Sequence, residues 1–261
     1  MSYFIVNTTV ANVYREPSHK SEIITQALMG ESCNIIDNND KWYLVKQWDG
    51  YEGWIYHFHG IESNTKYEAK MILQDMFGVM LSPGKDRIIS NLVFGCNVQA
   101  EEEQSGYKIT LPDGRTGFSF NNIGNRYKYV SREEIVETAL RFLGIPYLWG
   151  GKTPYGIDCS GLVQTVFKSV GINLPRDGYQ QAEFFSNSLI RIDKIEQGDL
   201  LFFGEKNAVS HVAISIGELN FINARGYVQE ESIDKNNPLF NCNLNDLFLY
   251  VVSIKNVINK K

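Results

Sequence analysis

The period of the hydrophobic pattern changes near residue 131, and that change limits the folds available to this chain. Up to about residue 122 the apolar residues come in short, strand-like runs separated by turn-forming residues. From Ser131 onward they recur at helical spacing, and further strand-like runs follow. Short strands at close intervals are typical of small barrels, whereas helices followed by strands indicate an α+β domain. The pattern therefore predicts small all-β domains in front of an α+β domain.

The all-β part shows a weak internal repeat. The tripeptide Gly53-Trp54-Ile55 resembles Gly117-Phe118-Ser119, and the surrounding runs have similar spacing. A repeat of roughly sixty residues indicates a duplicated small barrel. The predicted domains are a first barrel over residues 1–62, a second, divergent barrel over 63–128, and the α+β domain over 129–261.

Two helices are predicted in the α+β domain. Ser131 is a suitable N-cap for the first helix, and Gly144 ends it. The second helix covers residues 159 to about 170, with Asp158 as its N-cap and Gly171 after its end. Strands are predicted over residues 200–203, 211–216, 221–224 and 250–254.

The cysteine at the start of the second helix carries the strongest chemical signal. The tetrapeptide Asp158-Cys159-Ser160-Gly161 follows a loop that contains Trp149 and two glycines. At a helix N-terminus the free N–H groups and the macrodipole favour negative charge, which lowers the pKa of a thiol. A lone cysteine in an apolar helix is usually a core residue. Here the glycines on both sides favour a nucleophile, and Trp149 is placed to line a binding slot.

A base and an orienting group follow the cysteine in the chain. His211 begins an apolar strand, and Asn223 lies on the next predicted strand. His211 shares its strand face with Ala213 and Ser215, small residues that would let the helix of Cys159 pack closely. Alone, the histidine is explained as a strand-end residue and the asparagine as a residue near a turn. Together they predict a Cys159–His211–Asn223 site, in which the amide oxygen orients the imidazole.

The charge and cysteine content remove several classes of function. The formal net charge is −5, and no basic stripe supports nucleic-acid binding. The four cysteines do not form close pairs of the kind that bind zinc or iron–sulfur clusters, and they are too few for a disulfide framework in 261 residues. We therefore expect no metal or other cofactor. Cys33, Cys96 and Cys242 are expected to be small buried residues.

The start of the chain bears on where the protein acts. Residues 1–7 show neither the basic region nor the apolar region of a signal peptide, and no apolar run reaches the length of a membrane span. We expect a cytoplasmic protein without a membrane partner, or a secreted one if a leader has been removed.

Ordered sequence blocks in the second half carry a family resemblance. They are Tyr147-x-Trp149-Gly150-Gly151, Asp158-Cys159-Ser160-Gly161-Leu162, Leu174-Pro175-Arg176-Asp177, Gly198-Asp199-Leu200-x-Phe202-Phe203 and His211-Val212-Ala213-Ile214. Over about residues 130–256 this set resembles the NlpC-type family of bacterial cell-wall cysteine peptidases, which have a papain-like core. The resemblance implies Cys159 as nucleophile, His211 as base and Asn223 as the third residue, a position that often holds histidine in the family.

The first half resembles the bacterial SH3-like domains that are joined to such peptidases. The match is good over residues 12–17, 21–26 and 53–55 and loose in the second domain. The implied fold is an α+β papain-like C-terminal domain preceded by two small all-β SH3-like barrels. The architecture is similar to that of the dipeptidyl-peptidase subgroup, which cleaves between γ-D-glutamate and a diamino acid in peptides with a free N-terminal L-alanine.

The same resemblance assigns a reader of the substrate amine to the first SH3-like domain. In the subgroup, acidic and tyrosine groups of that domain meet the substrate ammonium. Matching positions place Glu22 and Tyr56 in this role, with Tyr51 as a competitor for the tyrosine. A carboxylate opposite an ammonium in a closed pocket is a physically suitable reader of a free amine, although a solvated loop charge is the other explanation for Glu22.

Further substrate contacts are implied on the peptidase side. Asp158 and Asp177 are the acidic candidates, and Ser160 can offer its N–H or its hydroxyl to the substrate or the oxyanion. Gly178 stands where the subgroup usually has a small hydroxyl residue, so any hydrogen bond from that hydroxyl is absent or replaced.

The expected function is that of a cysteine endopeptidase in murein peptide recycling, with a muropeptide, L-Ala-γ-D-Glu-diamino acid, as its partner. Either meso-diaminopimelate or lysine fits the third position. Three alternatives remain open: a secreted peptidoglycan hydrolase anchored to the wall by its SH3-like domains, a catalytically inactive wall-binding protein, and an acyltransferase or amidase acting on lipids. The absent leader argues against the first, the intact Cys159–His211 pair against the second, and the lack of a membrane segment against the third.

Overall fold

The chain divides into two compact units, Met1–Arg126 and Tyr127–Lys261, as seen in a computed structural model that describes residues 2–125 and 130–258. The N-terminal unit is built from antiparallel strands, and the C-terminal unit combines an antiparallel sheet with helices. Within the described residues, helices are too short or too polar to span a bilayer.

The first sheet of the N-terminal unit is formed by strands within residues 3–63. They are β1 (Tyr3–Val6), β2 (Val10–Tyr14), β3 (Ile23–Leu28), β4 (Ser32–Asn39), β5 (Trp42–Lys46), β6 (Glu52–Tyr56) and β7 (Gly60–Ser63). Their order across the sheet is β3-β2-β6-β5-β4-β1-β7. Asp40 and Gly50 adopt left-handed backbone angles, φ 55° and 85°, and reverse the chain before β5 and β6. Val13, Val45 and Ile55 are fully buried between the curved strands.

The second sheet repeats this topology within residues 71–125. Its strands are β8 (Met71–Leu73), β9 (Phe77–Leu81), β10 (Ile88–Val93), β11 (Asn97–Glu103), β12 (Gly106–Thr110), β13 (Thr116–Ser119) and β14 (Ile123–Asn125). Their order is β10-β9-β13-β12-β11-β8-β14, which is the order of the first sheet advanced by seven. The two tripeptides that suggested a repeat lie on β6 and β13, which hold equivalent places in the two sheets.

The two sheets do not close into barrels, so the prediction of barrels is wrong in this respect. Closure requires every strand to pair on both sides. Among the described residues, β7 pairs only with β1, and β14 pairs only with β8. These last strands have four and three residues.

A close backbone contact joins the two sheets within the N-terminal unit. The N–H of Asn97 donates to the carbonyl of Met29 at 2.9 Å. A Cβ on the neighbouring Gly30, whose φ is +77°, would lie 2.2 Å from the Asn97 carbonyl oxygen. Glycine is therefore required at this crossing. Leu28 and Met29 also pack into the core of the second sheet, beside residues such as Leu92.

The C-terminal unit is built on a sheet with the order β17-β22-β18-β19-β20-β21. Within residues 130–258 the strands are β15 (Lys152–Thr153), β16 (Gly156–Ile157), β17 (Leu189–Ile190), β18 (Leu200–Glu205), β19 (Ala208–Gly217), β20 (Asn220–Arg225), β21 (Tyr227–Ser232) and β22 (Phe248–Val252). The helices are α1 (Arg132–Leu140), α2 (Cys159–Ser169), α3 (Gly178–Phe184), α4 (Cys242–Leu247) and α5 (Lys255–Ile258). Both α1 and α2 contact β19 and each other.

The predicted N-caps of the first two helices are confirmed, and α2 ends close to its predicted end, but α1 ends at Leu140, earlier than predicted. The hydroxyl of Ser131 accepts the N–H of Glu134 at 3.1 Å at the start of α1, and Asp158 caps α2 in the same way. Gly144 and Gly171 follow the two helices with φ of +82° and +81°. In this unit the sequence pattern did not reveal α3, α4, α5 or the strands β15, β16, β17 and β21.

The cysteines are free thiols, and two of the three predicted core positions are confirmed. Cys33 and Cys96 are buried, but Cys242 is exposed, so its predicted burial is wrong. Cys242 is the first residue of the short helix α4, which buries Leu244 instead. No group of three or more His, Cys, Asp and Glu side chains is placed to bind a metal ion in the described ranges.

Candidate active site

The thiol of Cys159 lies at the first residue of α2 and is partly exposed. The carboxylate of Asp158 accepts the N–H of Gly161 at 2.6 Å, which fixes the start of the helix. The backbone N–H groups of Ser160 and Val212 are directed at the Cys159 sulfur. Because Val212 lies on β19, this strand passes directly beside the thiol.

The Cys159 thiol is protonated at neutral pH. Burial raises its pKa to about 11, and the Asp158 carboxylate adds to the rise. The N–H groups of Val212 and Ser160 and the Arg176 guanidinium lower the pKa, but they do not outweigh burial. The predicted lowering of the thiol pKa is therefore wrong for the free protein, because desolvation of the thiolate exceeds its stabilisation at the helix start.

The imidazole of His211 on β19 meets the amide of Asn223 on β20. His211 Nε2 and Asn223 Oδ1 are 2.9 Å apart, and Asn223 is fully buried. Asn223 Nδ2 donates to the carboxylate of Glu231 at 2.8 Å, so its oxygen faces the ring and accepts the Nε2 proton. The other ring nitrogen, Nδ1, then keeps its lone pair. The structure thus brings together the two side chains that the sequence paired, in the orientation that a base requires.

The imidazole is neutral like the thiol. Burial lowers the pKa of His211, and the charge of Arg225 acts in the same direction. The hydrogen bond from the ring to Asn223 and the charge of the Glu231 carboxylate raise the pKa but only partly offset the burial. A neutral imidazole can accept the proton of a neutral thiol during attack on a carbonyl.

Small residues on β19 do not provide the route by which α2 reaches the histidine, contrary to the sequence argument. Ala213 packs in a cluster with Phe203, Phe221 and Leu244 of α4. His211 pairs with Phe203 across the strands, and their rings lie 5.7 Å apart. The helix α4 therefore covers this part of the face. The Cys159 thiol instead contacts the backbone of β19, at the N–H of Val212.

A buried ion pair supports the start of α2. Asp158 accepts from Arg176 through both oxygens, at 3.0 and 2.5 Å, and from the N–H of Gly150 at 2.9 Å. Arg176 is only 2% exposed and also donates to the Ser160 hydroxyl at 2.9 Å. That hydroxyl donates to Asp158 at 3.3 Å. The side chains of Asp158 and Ser160 thus hold the helix start, and their contact with substrate stays a prediction.

The loop before Cys159 adds a tyrosine that was not among the predicted site residues. Burial raises the pKa of Tyr147 to about 12, and the proximity of Cys159 and Asp158 contributes to the rise. Its hydroxyl is therefore a permanent donor near the sulfur. Trp149, which was predicted to bind substrate, is 62% exposed in the same loop. The shared sequence block of Tyr147 and Trp149 was the signal that pointed to both.

Comparison with known proteins identifies the family. Residues 144–240 match the NlpC/P60 family, and residues 13–57 match the bacterial dipeptidyl-peptidase Sh3 domain. A gamma-D-glutamyl-L-lysine dipeptidyl-peptidase of Bacillus subtilis is 30% identical over 211 residues, which are 75% of this chain and 70% of that protein. The chain belongs to the NlpC/P60 family. It is accordingly a cysteine peptidase with an N-terminal bacterial SH3-like domain, and the predicted family is confirmed.

Two further NlpC/P60 relatives extend over nearly the whole chain. Dipeptidyl-peptidase 6 of Lysinibacillus sphaericus is 29% identical over 259 residues, which are 90% of this chain and 93% of that protein. The crystal structure of an NlpC/P60 family protein from Bacillus cereus superposes with a TM-score of 0.81 over 97% of this chain and 99% of the other. At 19% identity, that superposition shows a common fold.

In this NlpC/P60 peptidase, Asp177 and Gly178 form the start of α3. The Asp177 side chain accepts a hydrogen bond from the backbone N–H of Gln180. The Gln180 side chain in turn accepts from the backbone N–H of Asp177 at 3.1 Å, and the two bonds form a capping box. A Cβ at Gly178 would meet only methyl groups of Val209 and Val212, each at 3.9 Å. A small hydroxyl residue would therefore fit here, and glycine is not required by packing.

The predicted amine readers lie in the N-terminal unit, Glu22 and Tyr51 just before β3 and β6 and Tyr56 at the end of β6. Glu22 forms an ion pair with Arg15 at 2.8 Å and keeps 39% of its side chain exposed. The hydrogen bond to Glu22 and its charge raise the pKa of Arg15, and Tyr51, which lies near this pair, adds a smaller contribution. Tyr56 instead packs against the rings of His19 and other aromatic residues. These contacts favour Tyr51 over Tyr56 as the companion of Glu22, and the role of all three toward substrate stays a prediction.

Proposed function

We propose that this protein is a cysteine endopeptidase that cleaves the bond between γ-D-glutamate and a diamino acid in peptidoglycan-derived peptides with a free N-terminal L-alanine. The observation that carries the proposal is the thiol at the start of α2, beside a strand whose His211 is oriented by Asn223. Relatives named gamma-D-glutamyl-L-lysine dipeptidyl-peptidase, at 27% and 30% identity over most of the chain, support the choice of bond. The proposed setting is murein peptide recycling in the cytoplasm.

The proposed acylation begins with both reacting groups neutral. As the Cys159 sulfur attacks the γ-carbonyl carbon, its proton moves to Nδ1 of His211. The carbonyl oxygen gains the negative charge and accepts hydrogen bonds from N–H groups at the start of α2 and from the Tyr147 hydroxyl. The C–N bond then breaks, the imidazolium returns the proton to the leaving amine, and a thioester to Cys159 remains.

Deacylation reverses these roles. His211 takes a proton from water as the water oxygen attacks the thioester carbon. The C–S bond breaks, and the sulfur recovers the proton from the imidazolium. Asn223 keeps the ring in place during both steps, because its oxygen accepts a hydrogen bond from Nε2–H. The Nε2 proton itself is not transferred in either step.

The N-terminal unit is proposed to supply substrate selection. We assign residues 1–62 and 63–128 to two SH3-like domains, because residues 13–57 match such a domain and the second sheet repeats the strand order of the first. Within the first domain, Glu22 with Tyr51 or Tyr56 is the proposed reader of the substrate ammonium. On the peptidase side Asp158, Asp177, Ser160 and Trp149 are the proposed contacts.

Mass spectrometry of defined peptides tests the proposal. L-Ala-γ-D-Glu-L-Lys and its meso-diaminopimelate counterpart are incubated with wild type and with Cys159→Ala, beside N-acetylated copies and α-linked isomers. Release of L-Ala-D-Glu by wild type alone, from the γ-linked free-amine peptides alone, is the expected result. Equal cleavage of acetylated copies would replace the recycling role by that of a general wall hydrolase, and no cleavage of any peptide would overturn the proposed bond.

A further inference from the structure

The carboxylate of Glu231 lies on the far side of Asn223 from the imidazole. Glu231 is on β21, directly beside β20, and is only 9% exposed. Its Oε2 accepts from Asn223 Nδ2 at 2.8 Å. Among the ion pairs of the described residues none involves Glu231, so this buried carboxylate is held by neutral donors. A buried charge without a cation partner is costly, which calls for a functional explanation.

The second donor to Glu231 is Asn241, the N-cap of α4. Asn241 Nδ2 donates to Glu231 Oε1. Asn241 Oδ1 accepts the N–H of Leu244 at 3.0 Å, which caps the helix. Because the cap needs the amide oxygen, the amide nitrogen of Asn241 must point to Glu231. The helix start therefore fixes one end of a hydrogen-bonded chain that leads to His211.

Within this hydrogen-bonded chain of side chains, each group determines which atoms of the next group donate and which accept. A carboxylate can only accept, so both asparagine amides turn their NH₂ groups toward Glu231. Asn223 then presents Oδ1 to the ring of His211, which must carry its proton on Nε2. If Asn223 were reversed, its NH₂ would face Nε2 and the proton would move to Nδ1. The ring nitrogen needed to accept the thiol proton would then be blocked.

We propose that Glu231 is a positioning residue for the peptidase reaction, a role that rests on the proposed roles of Cys159 and His211. Glu231 holds Asn223 in the orientation that keeps His211 in the Nε2-protonated tautomer. Asn241 in turn holds Glu231. The carboxylate also stabilises the imidazolium that forms during catalysis, since Glu231 raises the pKa of His211 while Arg225 lowers it. The Gln229 carbonyl also accepts from Asn223 Nδ2, at 3.4 Å, so Glu231 provides the shorter of the two contacts that set the direction of this amide.

Glu231→Gln tests the proposal, because it replaces two acceptor atoms by one acceptor and one donor. With Asn241 held by its cap, the new NH₂ group faces Asn223 and reverses it. We expect kcat to fall by at least about tenfold, within the roughly 10²- to 10⁴-fold that a general base supplies, with little change in KM. Nitrogen-15 NMR of the imidazole should show His211 moving from the Nε2–H to the Nδ1–H tautomer. Glu230→Gln, the same change one residue earlier on β21, should alter neither quantity.

A double variant should restore the original direction of the hydrogen bond to His211. In Glu231→Gln with Asn223→Asp, the new aspartate accepts from both the glutamine NH₂ and His211 Nε2, while the glutamine oxygen still accepts from Asn241. The double variant should recover the Nε2–H tautomer and most of the lost kcat. If Glu231→Gln does not fold, the double variant decides: a folded protein with the Nδ1–H tautomer would overturn the proposal.

The tautomer measurement needs no substrate, which separates this proposal from the proposed function. An active wild type whose tautomer and kcat are unchanged in Glu231→Gln would refute the positioning role. A tautomer that switches as described supports that role even where the peptide is not cleaved, in which case the proposed function alone has failed.

Discussion

At the scale of single residues, the candidate site keeps its nucleophile and base neutral until substrate arrives. Burial raises the pKa of Cys159 to about 11 and lowers the pKa of His211. Proton transfer from thiol to imidazole is therefore unfavourable in the free protein and becomes favourable only as the sulfur bonds to carbon. A protonated thiol also reacts slowly with oxidants, because the thiolate is the reactive form.

The protonation state of Cys159 can be measured directly by thiolate absorbance. The difference in absorbance at 240 nm between wild type and Cys159→Ala should stay flat from about pH 5 to 9, because the thiol remains protonated over this range. The other three cysteines cancel in the difference. A step near or below neutral pH would show a preformed thiolate and contradict the neutral pair.

The sequence was sufficient to predict where the candidate site residues lie in the fold but not their protonation. Cys159, His211 and Asn223 follow from a helix start and two adjacent strands, which are local features with known geometry. The thiol pKa depends on how completely the surrounding residues bury the sulfur, and that is a property of tertiary packing. The carboxylate of Glu231 was missed because its strand was not predicted.

At the scale of secondary-structure elements, the position of Cys159 depends on how α2 begins. The N-cap Asp158 is also the partner of Arg176, which comes from the segment just before α3. One carboxylate therefore ties the helix start to the next element. This explains why the sequence blocks that contain Asp158 and Arg176 occur together, since neither charged side chain could be buried alone.

Removal of Asp158 should destabilise the protein strongly. In Asp158→Ala the guanidinium of Arg176 loses a carboxylate that accepts two of its hydrogen bonds, and α2 loses its cap. We expect the free energy of unfolding in urea to fall by about 3 kcal/mol or more. Lys46→Ala, which breaks the exposed pair with Glu52, should cost less than about 1 kcal/mol. Similar losses in the two variants would show that the buried pair does not stabilise the fold.

Elements were predicted where the periodicity was long and clear. Helices α1 and α2 have capping residues and several turns, and β18 to β20 are apolar runs, so all were found from the sequence. By contrast, α3 and α4 have seven and six residues, too few for a helical period to stand out. Strand β21 contains two consecutive glutamates, and its strand conformation comes from pairing with β20.

At the scale of the whole molecule, the chain joins a peptidase unit to a unit with no catalytic group of its own in the proposed mechanism. The duplicated topology of the N-terminal unit was detectable only as a weak repeat, because strand order is kept while side chains differ. The open edges of its sheets were not predictable, since barrel closure depends on the tilt and stagger of the strands, which the sequence pattern does not show.

The proposed division of labour predicts a substrate-selective effect in the N-terminal unit. Glu22→Gln should lower kcat/KM for L-Ala-γ-D-Glu-L-Lys by roughly ten- to hundredfold, which corresponds to one hydrogen bond between charged groups. Any slow cleavage of the N-acetylated peptide should be unaffected. Glu52→Gln removes a similarly exposed acidic partner from the same sheet and should leave both rates unchanged. An equal fall for both peptides in Glu22→Gln would exclude an amine-reading role.

The covalent step through Cys159 is the central claim, and trapping with hydroxylamine tests it most directly. During cleavage of L-Ala-γ-D-Glu-L-Lys, hydroxylamine should compete with water for the thioester. Mass spectrometry should then detect L-Ala-D-Glu γ-hydroxamate in a proportion that rises with hydroxylamine concentration, with none formed by Cys159→Ala. Cleavage by wild type that yields only the free acid at every hydroxylamine concentration would contradict the covalent mechanism.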